Sequence, residues 1–159
     1  MAIKPIPDGY HSATPYLMVK GAADAIEFYR RAFGATELFR MADPQGVIGH
    51  AEIKIGDSVI MLADDQPGAT CHGPRSLGGS TVGLLIYLEN VDTVFTRALA
   101  AGGKSLRPLA NQFYGDRSGT LEDPFGHVWT VATHVEDVPP EEMARRAEAA
   151  MKTAASSAS

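Results

Sequence analysis

Cysteine is nearly absent. Cys71 is the single thiol in 159 residues, so no disulfide can form within the chain, and this usage fits a reducing compartment. Long apolar runs are missing as well. None approaches the roughly 20 residues that a membrane helix needs, and the opening MAIKPIPDGY has no apolar segment of the secretory-signal kind. A cytoplasmic protein with no membrane partner is the expectation. Positive charge is in the minority, with 14 Lys and Arg against 19 Asp and Glu and a formal net charge of −5. No basic stripe is expected, and with it no nucleic-acid partner. The Gly-rich Leu77-Gly78-Gly79-Ser80 lacks the lysine and the following helix of a phosphate-binding loop.

What is present is enough for a core: 45% of the residues are hydrophobic and 21% charged, ordinary for one globular domain. Residues 1–9 read as an extended lead-in, and His11–Val19 as a strand with Pro15 marking an edge or bulge. Ala22, Ala25, Ile26, Tyr29, Ala32 and Phe33 recur at helical spacing, with Gly34 at the C-cap position. Strands follow over Thr36–Met41, Ile48–Ile55 and Ser58–Ala63. Asp64–Ser80 holds four glycines and two prolines and reads as a linker or mobile loop. Val82–Leu88 is apolar almost throughout and reads as a strand buried on both faces. Asn90 is a good N-cap for a helix over Val91–Ala101, and Ser105–Leu109, Arg117–Glu122 and His127–Thr133 read as strands. Both halves therefore have the order βαβββ. Ile26, Ala32, Gly34 and Leu38 precede Val94, Ala100, Gly102 and Leu106 by 68 residues, and Glu52 and Gly56 precede Glu122 and Gly126 by 70. A fixed internal repeat outweighs any local motif as a fold signal. After Pro139-Pro140, Glu141–Thr153 reads as a polar helix and the final AASSAS as disordered.

The stretch NQFYGDRSGTLEDPFGHVWTVATH, Asn111–His134, turns at Asp123-Pro124-Phe125-Gly126 and ends in a strand. Together with GAADAIEFYRRAFGA and the repeat, it resembles the vicinal oxygen chelate superfamily, which comprises glyoxalases, bleomycin-resistance proteins and extradiol dioxygenases. Within it the chain is similar to the PhnB-like branch. The resemblance implies an α+β fold in which two βαβββ modules form paired half-barrels. The expected bounds are one domain over 9–136, with module 1 over 9–63, a linker over 64–80, module 2 over 81–136, and a helical tail over 137–159. It also implies a small-molecule cavity between modules and a homodimer.

Metal-dependent members of that superfamily place His or Glu on the first and last strand of each module. Those positions fall here at Thr14, Met61, Gly83 and Thr130. None is a carboxylate or imidazole, so no metal and no other cofactor is expected. A displaced divalent metal remains the alternative, with His50 and Glu52 on one strand face and His11, Glu122, His127 and His134 as further donors. Thr14, Tyr16, Met61, Tyr114, Arg117 and Thr130 are the expected ligand-binding wall. Phe113 adds to that aromatic wall, and Trp129, on the opposite strand face from Thr130, packs outward on a helix. Arg117 reads either as a fork for an anionic ligand or as half of an Asp116–Arg117 turn network. His50, Glu52 and Tyr114 are the candidate acid–base groups. Cys71-His72 is a poor nucleophile pair, because neighbours in sequence rarely face one substrate. Two functions follow: a metal-free protein that binds a small organic molecule, or a lyase or dioxygenase using the displaced metal.

Overall fold

A computed structural model describes residues 3–157. The first two residues of the lead-in and the last two of AASSAS lie outside the described residues. Within the chain, β1 (Tyr16–Val19), α1 (Ala22–Phe33), β2 (Thr36–Ala42), β3 (Ile48–Ile55) and β4 (Ser58–Asp64) form the first module. A short helix, α2 (Pro74–Leu77), lies in the connection. The second module repeats the order as β5 (Gly83–Tyr87), α3 (Val91–Ala100), β6 (Lys104–Asn111), β7 (Asp116–Glu122) and β8 (Val128–His134). The tail is α4 (Pro140–Ser157).

Each module makes one four-stranded sheet, ordered β1-β4-β3-β2 and β5-β8-β7-β6. The first strand of each runs parallel to the last, and the other pairs are antiparallel. The equivalence of β4 with β8 and of α1 with α3 is the repeat read from the sequence.

The core sits on the helix side of both sheets. Ala22, Ala25, Ile26, Phe28, Tyr29, Ala32 and Phe33 of α1 are buried. They meet Ala51, Ile53 and Ile55 of the first sheet, and α1 also packs on α3. Tyr29 and Phe33 cover the Trp129 ring, with centroids 5.2 and 4.9 Å away. One apolar cluster thus runs through both modules. Gly34 closes α1 in the left-handed conformation, its N–H bonding the Arg30 carbonyl. The N-terminus of α1 is capped from a distance: Asp64 accepts from Gly21 N and Ala22 N.

Three expectations change. The 64–80 connection is ordered by Asp65, which accepts from His72 Nδ1, Gly73 N and Ser76 Oγ. Gly73 also sits against β1, where an added Cβ would lie 2.5 Å from the Met18 carbonyl oxygen. β5 is not buried on both faces: it is an edge strand, with Leu85 and Tyr87 more exposed than their neighbours. Of the final AASSAS, residues 154–157 continue α4, whose run of alanines favours helix.

Candidate functional site

Strand alternation gives the first sheet an outer face away from α1. Register aligns Tyr16 of β1 with Met61 of β4, Met61 with Glu52 of β3, and His50 and Glu52 with Met41 and Phe39 of β2. Tyr16, Phe39 and Met41 are all substantially exposed. The result is an apolar, aromatic face with one polar chain across it.

That chain has four members. Tyr10, directly after the 1–9 lead-in, donates its hydroxyl to Glu52 Oε2. Glu52 Oε1 lies 3.1 Å from His50 Nε2, and His50 Nδ1 lies 2.6 Å from the Tyr16 hydroxyl. The Tyr10 and His50 hydrogen bonds hold the Glu52 carboxyl below its ordinary range. An ionised carboxylate only accepts, so Nε2 carries the proton towards it. In a neutral imidazole Nδ1 then accepts, and Tyr16 donates. Burial, aided by the Glu52 charge, raises the Tyr16 phenol, which keeps it protonated. The Glu52 bond raises Tyr10 likewise.

The second sheet carries a different polar chain at one end. Buried Asp116 accepts from the Tyr87 hydroxyl at 2.7 Å and meets His134 Nδ1 at 2.8 Å. His134 Nε2 reaches Asp137 at 2.9 Å. These two carboxylates, Asp116 first, raise the His134 imidazole above its ordinary value. Mid-sheet, the Thr120 and Thr130 hydroxyls pair at 3.0 Å.

The six residues expected to share one wall are dispersed within the chain. Tyr16 lines a cavity of about 620 Å³ beside β1, with Met18, His72, Val82, Leu84 and His127. Thr14 lines a separate cavity of about 570 Å³ with Ile60, Leu84 and Trp129. Met61 and Thr130 lie on the outer faces of different sheets, in neither cavity. Tyr114 stands in the turn before β7, edge-on to Phe113. Arg117 points to the helix side and makes a bidentate pair with Asp92 at the start of α3. It is joined neither to a cavity nor to Asp116, because adjacent strand residues face opposite ways. The Cys71 and His72 side chains are not paired; His72 belongs to Asp65. Trp129 packs on α1 as expected, donating Nε1–H to Asp123.

The family's metal does not fit this chain. Its positions offer two neutral hydroxyls, a thioether and a glycine, and the Thr130 hydroxyl is already paired. His50 and Glu52 are joined to two phenols, and among the described residues no group of three or more His, Cys, Asp or Glu side chains is placed to hold a metal. The sequence singles out His50 and Glu52 as acid–base candidates and Tyr16 as a wall residue, and the structure joins the three by hydrogen bonds. Tyr10 is not singled out: it follows the proline-containing lead-in directly and carries no periodic signal.

Residues 10–131 match the model of the Glyoxalase/Bleomycin resistance protein/Dioxygenase superfamily. The uncharacterized Mycobacterium tuberculosis protein Rv0887c is 42% identical over 128 residues, spanning 79% of this chain and 75% of that one. Among solved structures, TioX from Micromonospora sp. ML1 is 25% identical with a TM-score of 0.61, covering 81% of this chain and all of TioX. The PhnB protein of Bacillus cereus is 22% identical with a TM-score of 0.62 over 77% of this chain and 99% of its own. The chain belongs to the Glyoxalase/Bleomycin resistance protein/Dioxygenase superfamily and has the fold of its PhnB-like members.

Proposed function

We propose that this superfamily member binds a small organic molecule without the divalent metal its enzymatic relatives use. The outer face of the first sheet, around Tyr16, is where it binds. The observation that carries the reading is the chemistry of the donor set. Thr14, Met61, Gly83 and Thr130 supply no charged ligand, whereas Tyr16, Phe39 and Met41 offer exposed apolar and aromatic surface beside a hydrogen-bonding chain. Small-molecule sites commonly have that make-up, an apolar wall with a few placed polar groups. A cytoplasmic homodimer, with no nucleic-acid or membrane partner, completes the proposal. No helix of the described residues is long and apolar enough to cross a membrane.

Metal analysis of the purified protein, alongside mass spectrometry of whatever co-purifies, tests the reading. The expected result is far less than one divalent ion per chain and a bound organic molecule displaced by denaturation. A stoichiometric ion that a chelator removes, coordinated by His50 and Glu52, would instead establish the lyase or dioxygenase alternative.

A further inference from the structure

The Tyr10–Glu52–His50–Tyr16 chain has a direction. Glu52 is fixed as an acceptor, so His50 Nε2 donates to it and Nδ1 accepts the Tyr16 hydrogen bond. The Tyr16 oxygen is left with lone pairs for a group outside the chain, and Tyr16 is substantially exposed. What this end of the chain lacks is a proton donor. His50 meets Tyr16 from β1, Glu52 from its own strand, and Phe39 and Met41 from β2, with Tyr10 behind Glu52; Lys54 follows Glu52 on the same face of β3, and no cation makes a hydrogen bond to the chain.

We propose that the site recognises an aromatic molecule with an acidic hydroxyl, a phenol or enol, and binds it as the anion by storing its proton on His50. This rests on the binding reading above. The ligand O–H bond breaks and its proton goes to the Tyr16 oxygen as Tyr16's own proton passes to His50 Nδ1. The electron pair stays on the ligand oxygen, Tyr16 remains neutral, and the new imidazolium lies between Tyr16 and Glu52. No oxidant or second reactant is needed. The ring of the ligand packs on Phe39 and Met41, whose aromatic and thioether groups suit a flat π-surface. Glu52 is a positioning residue: it fixes the His50 tautomer and compensates the charge His50 gains. Tyr10 in turn holds Glu52.

The probe is 4-nitrophenol, whose phenolate absorbs at longer wavelength than the phenol, with 4-nitroanisole as the same ring without a proton. Both are titrated into the protein in a buffer slightly on the acid side of free 4-nitrophenol's own titration. Bound 4-nitrophenol is expected to show the phenolate band. Tyr16→Phe should weaken its binding about tenfold or more, the scale of a hydrogen bond to a charged group, and His50→Gln should abolish the band. Neither change should alter 4-nitroanisole binding by more than about twofold. Glu52→Gln, which keeps the side-chain shape, should also reduce the band, and circular dichroism checks that each variant is folded. If both probes bind wild type equally and the nitrophenol stays neutral, the relay is wrong while the binding reading survives. If neither probe binds, the inference falls, and the search for a co-purifying molecule decides the binding reading separately.

Discussion

Four donors converge on the Asp123 carboxylate. The Tyr29 hydroxyl lies 2.7 Å away, Trp129 Nε1 2.9 Å, and the backbone N–H groups of Phe125 and His127 2.9 Å each. The carboxylate is buried, so these bonds replace its hydration, and burial with the neighbouring charge raises the Tyr29 phenol well above its usual value. Because Tyr29 comes from α1 and the other donors from the second module, one side chain ties the two halves together. Asp123→Ala should destabilise the protein by at least about 4 kcal/mol, since it leaves four buried donors unpaired and each costs about 1–3 kcal/mol. Chemical denaturation measures it, and a loss under about 1 kcal/mol would show that the donors find other partners. The Asp-Pro-x-Gly turn was legible from Pro and Gly alone. Its hub was not, because Tyr29 lies 94 residues away. Arg117 teaches the same lesson: its residue type suggested a ligand fork or a turn partner, but only the packing of α3 on β7 brings Asp92 to it.

Elements with a clear period were readable in advance. α1 was given by its apolar spacing and Gly34, and α3 by Asn90, whose side chain accepts from Thr93 N. β5 kept its position but not its surroundings, because an apolar run does not reveal whether the strand is central or at an edge. The 64–80 connection looked loose because its order comes from one carboxylate rather than from a pattern, and four residues of α2 are too few to show periodicity. Asp65 makes this order pH-dependent. The Ser76, His72 and Gly73 bonds lower its carboxyl to about 2 in the fold, against about 3.9 in an unfolded chain. A folded value below the unfolded one contributes stability that is complete above about pH 4 and lost as the pH falls towards about 2. Asp65→Asn should therefore lower Tm at neutral pH, with the gap to wild type closing across that acid window. A gap that stays constant as the pH falls would show that the bonds do not depend on the charge.

For the molecule as a whole, the repeat at 68 and 70 residues made the two-module fold legible, but not how the modules meet. They meet through α1, α3 and the Trp129 cluster, on the helix side of both sheets. No strand pairing joins the sheets among the described residues; the outer edge of β1 is covered by Gly73 and by His127, whose Nε2 lies 3.0 Å from the Met18 carbonyl oxygen, whereas β5 keeps a free edge. On β5, Leu85 is 50% and Tyr87 59% exposed. Free strand edges with apolar side chains are ordinarily covered, and apolar patches of this kind mark association sites. A second copy of the chain is the expected cover, since two copies offer the same β5 edge and can satisfy one another symmetrically. Light scattering at micromolar concentration should give twice the 16.9 kDa chain mass. Leu85→Asp should reduce it to one chain, because a carboxylate at a covered edge would lose its water. Circular dichroism should be unchanged, since Leu85 is half exposed in the single chain. A wild-type protein that stays monomeric across that range would mean that the outer faces are open to solvent, and that the Tyr16 site is complete within one chain.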